Sequence, residues 1–67
     1  MFVVQVEQED DERWIAEIES LPGVLVYGNT REEAISKAKA MALRVLADKL
    51  EHNEPVPAEL MKLFSAA

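Results

Sequence analysis

The stretch Trp14-Ile15-Ala16-Glu17-Ile18-Glu19-Ser20-Leu21-Pro22-Gly23-Val24-Leu25-Val26-Tyr27-Gly28-Asn29-Thr30-Arg31-Glu32-Glu33-Ala34 decides the fold. Residues 14–18 alternate with period two, the pattern of a half-buried strand. Leu21-Pro22-Gly23 reads as a turn, because Pro22 fixes φ and Gly23 leaves the backbone permissive. Residues 24–27 are a second short run of strand formers. Gly28-Asn29 interrupts it, and Thr30 with Glu33 three residues on is the signature of a capping box opening a helix.

Toward the N-terminus, Phe2, Val4 and Val6 alternate with Val3, Gln5 and Glu7. That predicts a strand over 2–7 with the first set inward. Residues 9–12 are all acidic and read as a hairpin tip. Asp10-Asp11 supplies turn geometry without the glycine that favours the tightest turns. The second strand, 13–19, puts Trp14, Ala16 and Ile18 on the inner face and Ile15 on the outer face with Arg13, Glu17 and Glu19. The third strand, 24–27, is apolar on both faces, so periodicity leaves its orientation open. The outer apolar spine is then Val3, Ile15 and either Leu25 and Tyr27 or Val24 and Val26. Rimmed by Gln5, Glu7, Glu17 and Glu19, it reads either as a contact patch or as ordinary scattered apolar surface.

Toward the C-terminus, a helix is predicted from Arg31 to Leu50 or Glu51, capped by Thr30, with Glu32 and Glu33 at the positive end of its dipole. At ~100° per residue, Ala34, Ile35, Ala38, Met41, Ala42, Val45 and Leu46 form one stripe. Leu43 and Leu50 widen it to roughly 200°, where one core needs only about 100°. Lys39 and Lys49 fall inside that arc and are expected to snorkel. The C-terminal segment or a second subunit is expected to cover the surplus. His52-Asn53-Glu54-Pro55 ends the helix. Pro55-Val56-Pro57 is extended, and 58–64 predicts a short helix with Leu60, Leu63 and Phe64 at three-four spacing. That helix is expected to pack back as a clip, the alternative being an exposed docking helix.

The chain has 67 residues and no cysteine, so disulfides and thiolate metal sites are excluded. A chain this short buries little surface, which favours an oligomer or a partner protein. No segment has the ~18 continuous apolar residues of a membrane span, and residues 1–5 lack a signal peptide's basic flank; a cytoplasmic location is expected. The net charge of −6 is uneven. Residues 1–29 hold seven acids and Arg13; residues 30–67 hold six acids and six bases. Acidic surface repels phosphate, so direct nucleic-acid binding is not expected. The same surface suits a basic partner, or serves solubility alone.

No catalytic, metal or cofactor site is legible. His52 is the only histidine, and a zinc site needs three or four ligands; its expected role is to complement the helix dipole. Ser20, Ser36 and Ser65 lack a nucleophile motif or a nearby base. Gly23 and Gly28 are isolated turn glycines rather than a phosphate loop. The acids 9–12 do not match the alternating ligands of a calcium loop. A metal-dependent nuclease needs acids converging from separate elements, and Glu7 with Glu17 or Glu19 reads instead as solvated surface.

Taken in order and spacing, Trp14-Ile15-Ala16-Glu17-Ile18, Leu21-Pro22-Gly23, Gly28-Asn29-Thr30 and Glu32-Glu33-Ala34 resemble the signature of the HicB-like antitoxin family. Pro55-Val56-Pro57 is similar to the Pro-containing stretch after that family's helix. The resemblance implies a partial RNase H-like fold without the catalytic acids, hence no nuclease activity. It also implies an antitoxin role: HicB-type proteins bind the small basic toxin HicA, which cleaves mRNA through a catalytic histidine on a double-stranded-RNA-binding-like fold, and cover its active site. On this reading Glu9, Asp10, Asp11 and Glu12 mimic RNA charge and steer the toxin, with Ile15 and Tyr27 beside them in the partner-binding surface. Full-length members usually carry a C-terminal helix-turn-helix or ribbon-helix-helix domain. Neither is found up to Ala67, so operator binding is not expected. The family's fourth strand is absent or reduced to Val56, which would leave strand one as an open edge.

The expected fold class is therefore α+β: a three-stranded antiparallel meander, one long helix packed on a face, and a short C-terminal helix. It forms one HicB-like domain over 1–67, comprising an acidic sheet (1–29), the long helix (30–51) and a C-terminal extension (55–67). The expected function is the antitoxin of a type II toxin-antitoxin pair. It would be non-enzymatic, homo-oligomeric, without metal or cofactor, and would have no membrane partner. The alternative is an orphan self-associating domain that has no toxin.

Overall fold

A computed structural model describes residues 2–66. Its elements are β1 (Gln5–Gln8), β2 (Trp14–Glu17), β3 (Leu25–Gly28), α1 (Arg31–Glu51) and α2 (Ala58–Met61). The strands form one antiparallel sheet in the order β1-β2-β3. The architecture is the expected α+β meander with a long helix and a short one.

Register sorts the side chains. Val6, Ala16 and Val26 lie opposite one another and face the core. Glu7, Ile15 and Tyr27 form one outward row, and Gln5, Glu17 and Leu25 the next. β1 and β2 are shorter than the alternation predicts, while β3 has the expected four residues one position later. Phe2 and Val4 keep their inward phase against the core, but β2 has already left the sheet beside them. Leu21 N donates to Ile18 O at 3.0 Å, so the chain is turning where 2–4 would need a partner.

Two glycines set the corners. Val24 N donates to Leu21 O at 3.1 Å, and Gly23 takes φ +92°. Proline followed by a positive-φ residue is the type II pattern. At Gly28 a Cβ would lie 2.6 Å from Ala34 N and 2.9 Å from Ala34 Cα. Only glycine lets the first turn of α1 close onto the end of β3.

Thr30 caps α1, its hydroxyl accepting from Glu33 N at 3.0 Å. Glu33 reaches back to Asn29 N at 3.2 Å, one residue before the cap itself, so the box closes slightly wider than the motif predicts. Ala34, Ala38, Ala42 and Leu46 bury a stripe four residues apart, against Ala16, Ile18, Leu21 and Val24. Alanines there bring the helix close to the sheet. The helix stops in a Schellman motif. Asn53 takes φ 56°, Asn53 N donates to Leu50 O, and Glu54 N donates to Lys49 O at 2.8 Å. Asparagine tolerates that conformation, and Pro55 follows.

A 21-residue helix is roughly 31 Å long whereas a four-residue strand is roughly 13 Å, so α1 overhangs the sheet; the molecule measures 48 × 19 × 15 Å. The C-terminal segment covers only part of the overhang. Val56 packs on the core without forming a strand, and Leu60 is buried. The helix expected over 58–64 ends at Met61, and Leu63 and Phe64 stay 73% and 67% exposed. A helix of one turn has little stability of its own, and only Leu60 anchors it. The segment is a clip through one side chain, and Leu43 and Leu50 on the wide arc of α1 remain exposed.

Candidate functional site

The hairpin between β1 and β2 closes through a three-residue loop. Glu9 N donates to Arg13 O at 2.7 Å and Glu12 N to Glu9 O at 3.0 Å. Asp10, Asp11 and Glu12 form the loop, and Glu12 takes φ 72°. Glycine normally fills the left-handed position of such loops. A glutamate there holds an unfavourable backbone, which costs about 1–2 kcal/mol. Such outliers cluster at working surfaces.

Arg13 joins the tip to the outer sheet face. Its Nε lies 2.6 Å from Asp11 Oδ2, and its backbone N–H donates to Asp11 Oδ1 at 3.1 Å. Its guanidinium also sits over the Tyr27 ring, 4.5 Å from the centroid, a cation–π contact. The backbone N–H of Arg13, then its guanidinium, hold the Asp11 carboxyl below the usual carboxylate range. Asp11 is thus partly neutralised within the chain. The carboxylates of Glu9, Asp10 and Glu12 pair with no basic side chain among the described residues.

Ile15 lies at the centre of the outer face, in register with Glu7 on one side and Tyr27 on the other. A hollow of about 260 Å³ sits beside it, lined by Gln5, Glu7, Glu9 and Glu17. Tyr27 and Leu25 are 42% and 46% exposed. Behind Tyr27, Lys37 donates to its carbonyl at 3.4 Å and pairs with Glu33 at 3.1 Å. That Lys37 contact, then the Asn29 N–H, lower the Glu33 pKa.

The candidate residues therefore fall into two groups. Arg13 links Asp11 to Tyr27, and strand register sets Ile15 beside Tyr27, while Glu9, Asp10 and Glu12 crown the tip next to them. Sequence reading left Leu25 undecided and missed Arg13 as a link. Glycine 28 held the signal for Leu25: it must face α1, which turns Val26 and Val24 inward and Leu25 and Tyr27 outward.

At the far end of the molecule, Asp48, His52 and Glu54 place ligand-type atoms within 4.8 Å of one another, all exposed. His52 Nδ1 lies 2.8 Å from the Asp48 carbonyl and 3.3 Å from its carboxylate. The ring nitrogen turned toward the acids is thus used on a helix-end carbonyl, and capping accounts for the arrangement. No helix among the described residues is long and apolar enough to cross a membrane.

Comparison with known proteins returns no match: no family model, no curated protein and no solved structure matches the chain.

Proposed function

We propose that this chain is a HicB-like antitoxin that binds and occludes a small basic, HicA-like mRNA-cleaving toxin, without catalysis of its own. The observation that carries the reading is the outer sheet face: half-buried Ile15 with exposed Leu25 and Tyr27, ringed by Glu7, Glu9 and Glu17 and crowned by Asp10 and Glu12. An apolar centre supplies contact energy and a charged rim supplies steering and selection. Lysine or arginine side chains of the toxin fit the acidic hollow beside Ile15. The strained backbone at Glu12 supports the same reading, since it retains a carboxylate where glycine is more stable. The ordered motifs from Trp14 to Ala34 support the family.

The test is to look for an adjacent gene encoding a basic protein of about 60–80 residues, whose absence would sink the antitoxin reading, and to co-express that protein with this chain. Growth and intact mRNA are expected with both proteins present. Replacing Glu7, Glu9, Asp10, Glu12 and Glu17 by glutamine or asparagine is expected to abolish protection, and raised salt to weaken the complex in vitro. If the basic neighbour does not bind, or binds equally well after neutralisation, the antitoxin reading fails and the orphan self-associating domain takes its place.

A further inference from the structure

We infer that two copies of this chain join edge to edge through residues 2–6, antiparallel about Val4, so that their sheets continue into one sheet of order β3-β2-β1-β1-β2-β3. Each copy has an open edge at β1 and another at β3. Bonded and non-bonded pairs alternate along an antiparallel ladder. Glu9 N donates to Arg13 O, so Gln5, Glu7 and Glu9 turn their backbone groups toward β2. Val6 and Gln8 turn theirs outward, and neither has a backbone partner on that side among the described residues. Val4 continues the same phase. Residues 2–4 have lost β2 as well, since the chain turns away after Ile18. The stretch Phe2-Val3-Val4-Gln5-Val6 is rich in strand formers and holds no charge and no proline. An edge without those guards is a template on which another strand adds.

The other edge is guarded. Val24 O accepts from Ile18 N, so Leu25 and Tyr27 are the residues of β3 that turn their backbone outward. There Lys37 Nζ holds the Tyr27 carbonyl at 3.4 Å, and Lys37 and Arg44 flank the hollow beside Val26. A two-fold copy would set those cations against their own images. Beneath Phe2 and Val4 the one charged lining residue is Lys39, itself exposed and bonded to no carbonyl of that edge.

The occupant is a second copy because an antiparallel edge is its own complement under a two-fold axis. With the axis at Val4, Val4 meets Val4, Phe2 meets Val6 and Val3 meets Gln5. The residues with outward backbone groups thus meet one another, and their side chains, Phe2, Val4 and Val6, all lie on the core side. Val3, 63% exposed, gains a cross-strand neighbour. Charge agrees, since no acid falls within the paired stretch, whereas an axis at Gln8 would set Glu7 against Glu9. The acidic tips point away from the axis in opposite directions. Asp10 lies six residues from Val4, so the tips stand roughly 40 Å apart, several times the screening length of about 8 Å at physiological salt. The outer faces at Ile15, Leu25 and Tyr27 stay open. This inference does not depend on the antitoxin reading, since its test contains no toxin.

The experiment is sedimentation equilibrium of the full chain across a concentration series, with amide hydrogen exchange read by NMR on the same samples. A monomer–dimer equilibrium is expected, in which exchange of the Val4 and Val6 amides slows as concentration rises while the Leu25 amide stays fast. Val4→Pro removes the donor at the axis from both copies and should weaken dimerisation roughly tenfold or more. Gln8→Pro removes an outward donor beyond the paired stretch and should leave the dimer intact. Neither takes a bond from β2, because both N–H groups face outward. Val3→Lys changes an exposed side chain without touching the core and should also weaken the dimer, as edge lysines do. A chain monomeric at every concentration overturns the inference. So does a dimer whose Val4 and Val6 amides exchange freely, one that Val4→Pro and Val3→Lys leave unchanged, or one that Gln8→Pro breaks as readily as Val4→Pro.

Discussion

The outer sheet face and the flank of α1 both leave large apolar side chains in solvent, yet they are unlike surfaces. Ile15, Leu25 and Tyr27 sit in a field of carboxylates with Arg13 as the one base of residues 1–29. Leu43, Leu63 and Phe64 sit in a half of the chain whose charges cancel. The helix-flank residues are the more exposed, 67–73% against 42–46% for Leu25 and Tyr27. The difference is the charge around them: carboxylates at the first, a balanced set of acids and bases at the second. Binding of a basic protein to the sheet face should weaken as salt is raised.

Both faces rest on one small core, and removing its support should erase the comparison altogether. Leu21, 2% exposed, is the largest fully buried side chain. Leu21→Ala should cost about 2–5 kcal/mol, read by urea denaturation, and should loosen both faces together. Next in size is Gly28→Ala. A Cβ there meets backbone atoms of Ala34 that cannot swing aside, so the start of α1 must shift off β3 at about 1–3 kcal/mol. The same denaturation measurement checks it.

Glu12→Gly sharpens the contrast, because stability and binding should move in opposite directions. Relieving φ 72° should stabilise the chain by about 0.5–1 kcal/mol, while removing a carboxylate should weaken binding of a basic protein to the sheet face. Thermal melting with a binding titration measures both. If neither changes, the glutamate is incidental.

The smallest effect concerns protons. The Asp11 pKa is lowered in the fold, mainly by the Arg13 backbone N–H and then its side chain. A depressed carboxyl contributes stability that is present above its unfolded pKa and is lost as pH falls through its folded one. Acidification through the carboxylate range should therefore loosen the link between tip and Tyr27. Carbon-detected NMR titration should give Asp11 a midpoint below the ordinary aspartate value, rising toward it in Arg13→Ala. An unchanged midpoint would show that the Asp11 side chain does not depend on the Arg13 guanidinium.

Element order, the Pro22-Gly23 turn, the Thr30 cap, the span of α1 and the split between an acidic and a neutral half were all determined by sequence alone. Each depends on interactions within a few residues, or on simple counting. Tertiary structure decided the rest. β3 is apolar on both faces, so a period of two has no phase until Gly28 meets Ala34. The first strand was overestimated because alternation persists at Phe2 and Val4 beyond the point where a neighbouring strand exists to bond. The C-terminal helix was overestimated because three-four spacing at Leu60, Leu63 and Phe64 cannot say that one side chain alone reaches the core. Arg13 looked like an outer-face charge and became the bridge between Asp11, two residues away, and Tyr27, across the β2–β3 pairing. Pattern in a sequence records which residues tolerate burial; which of them are buried depends on how far the neighbouring elements extend, and that is a property of the assembled fold.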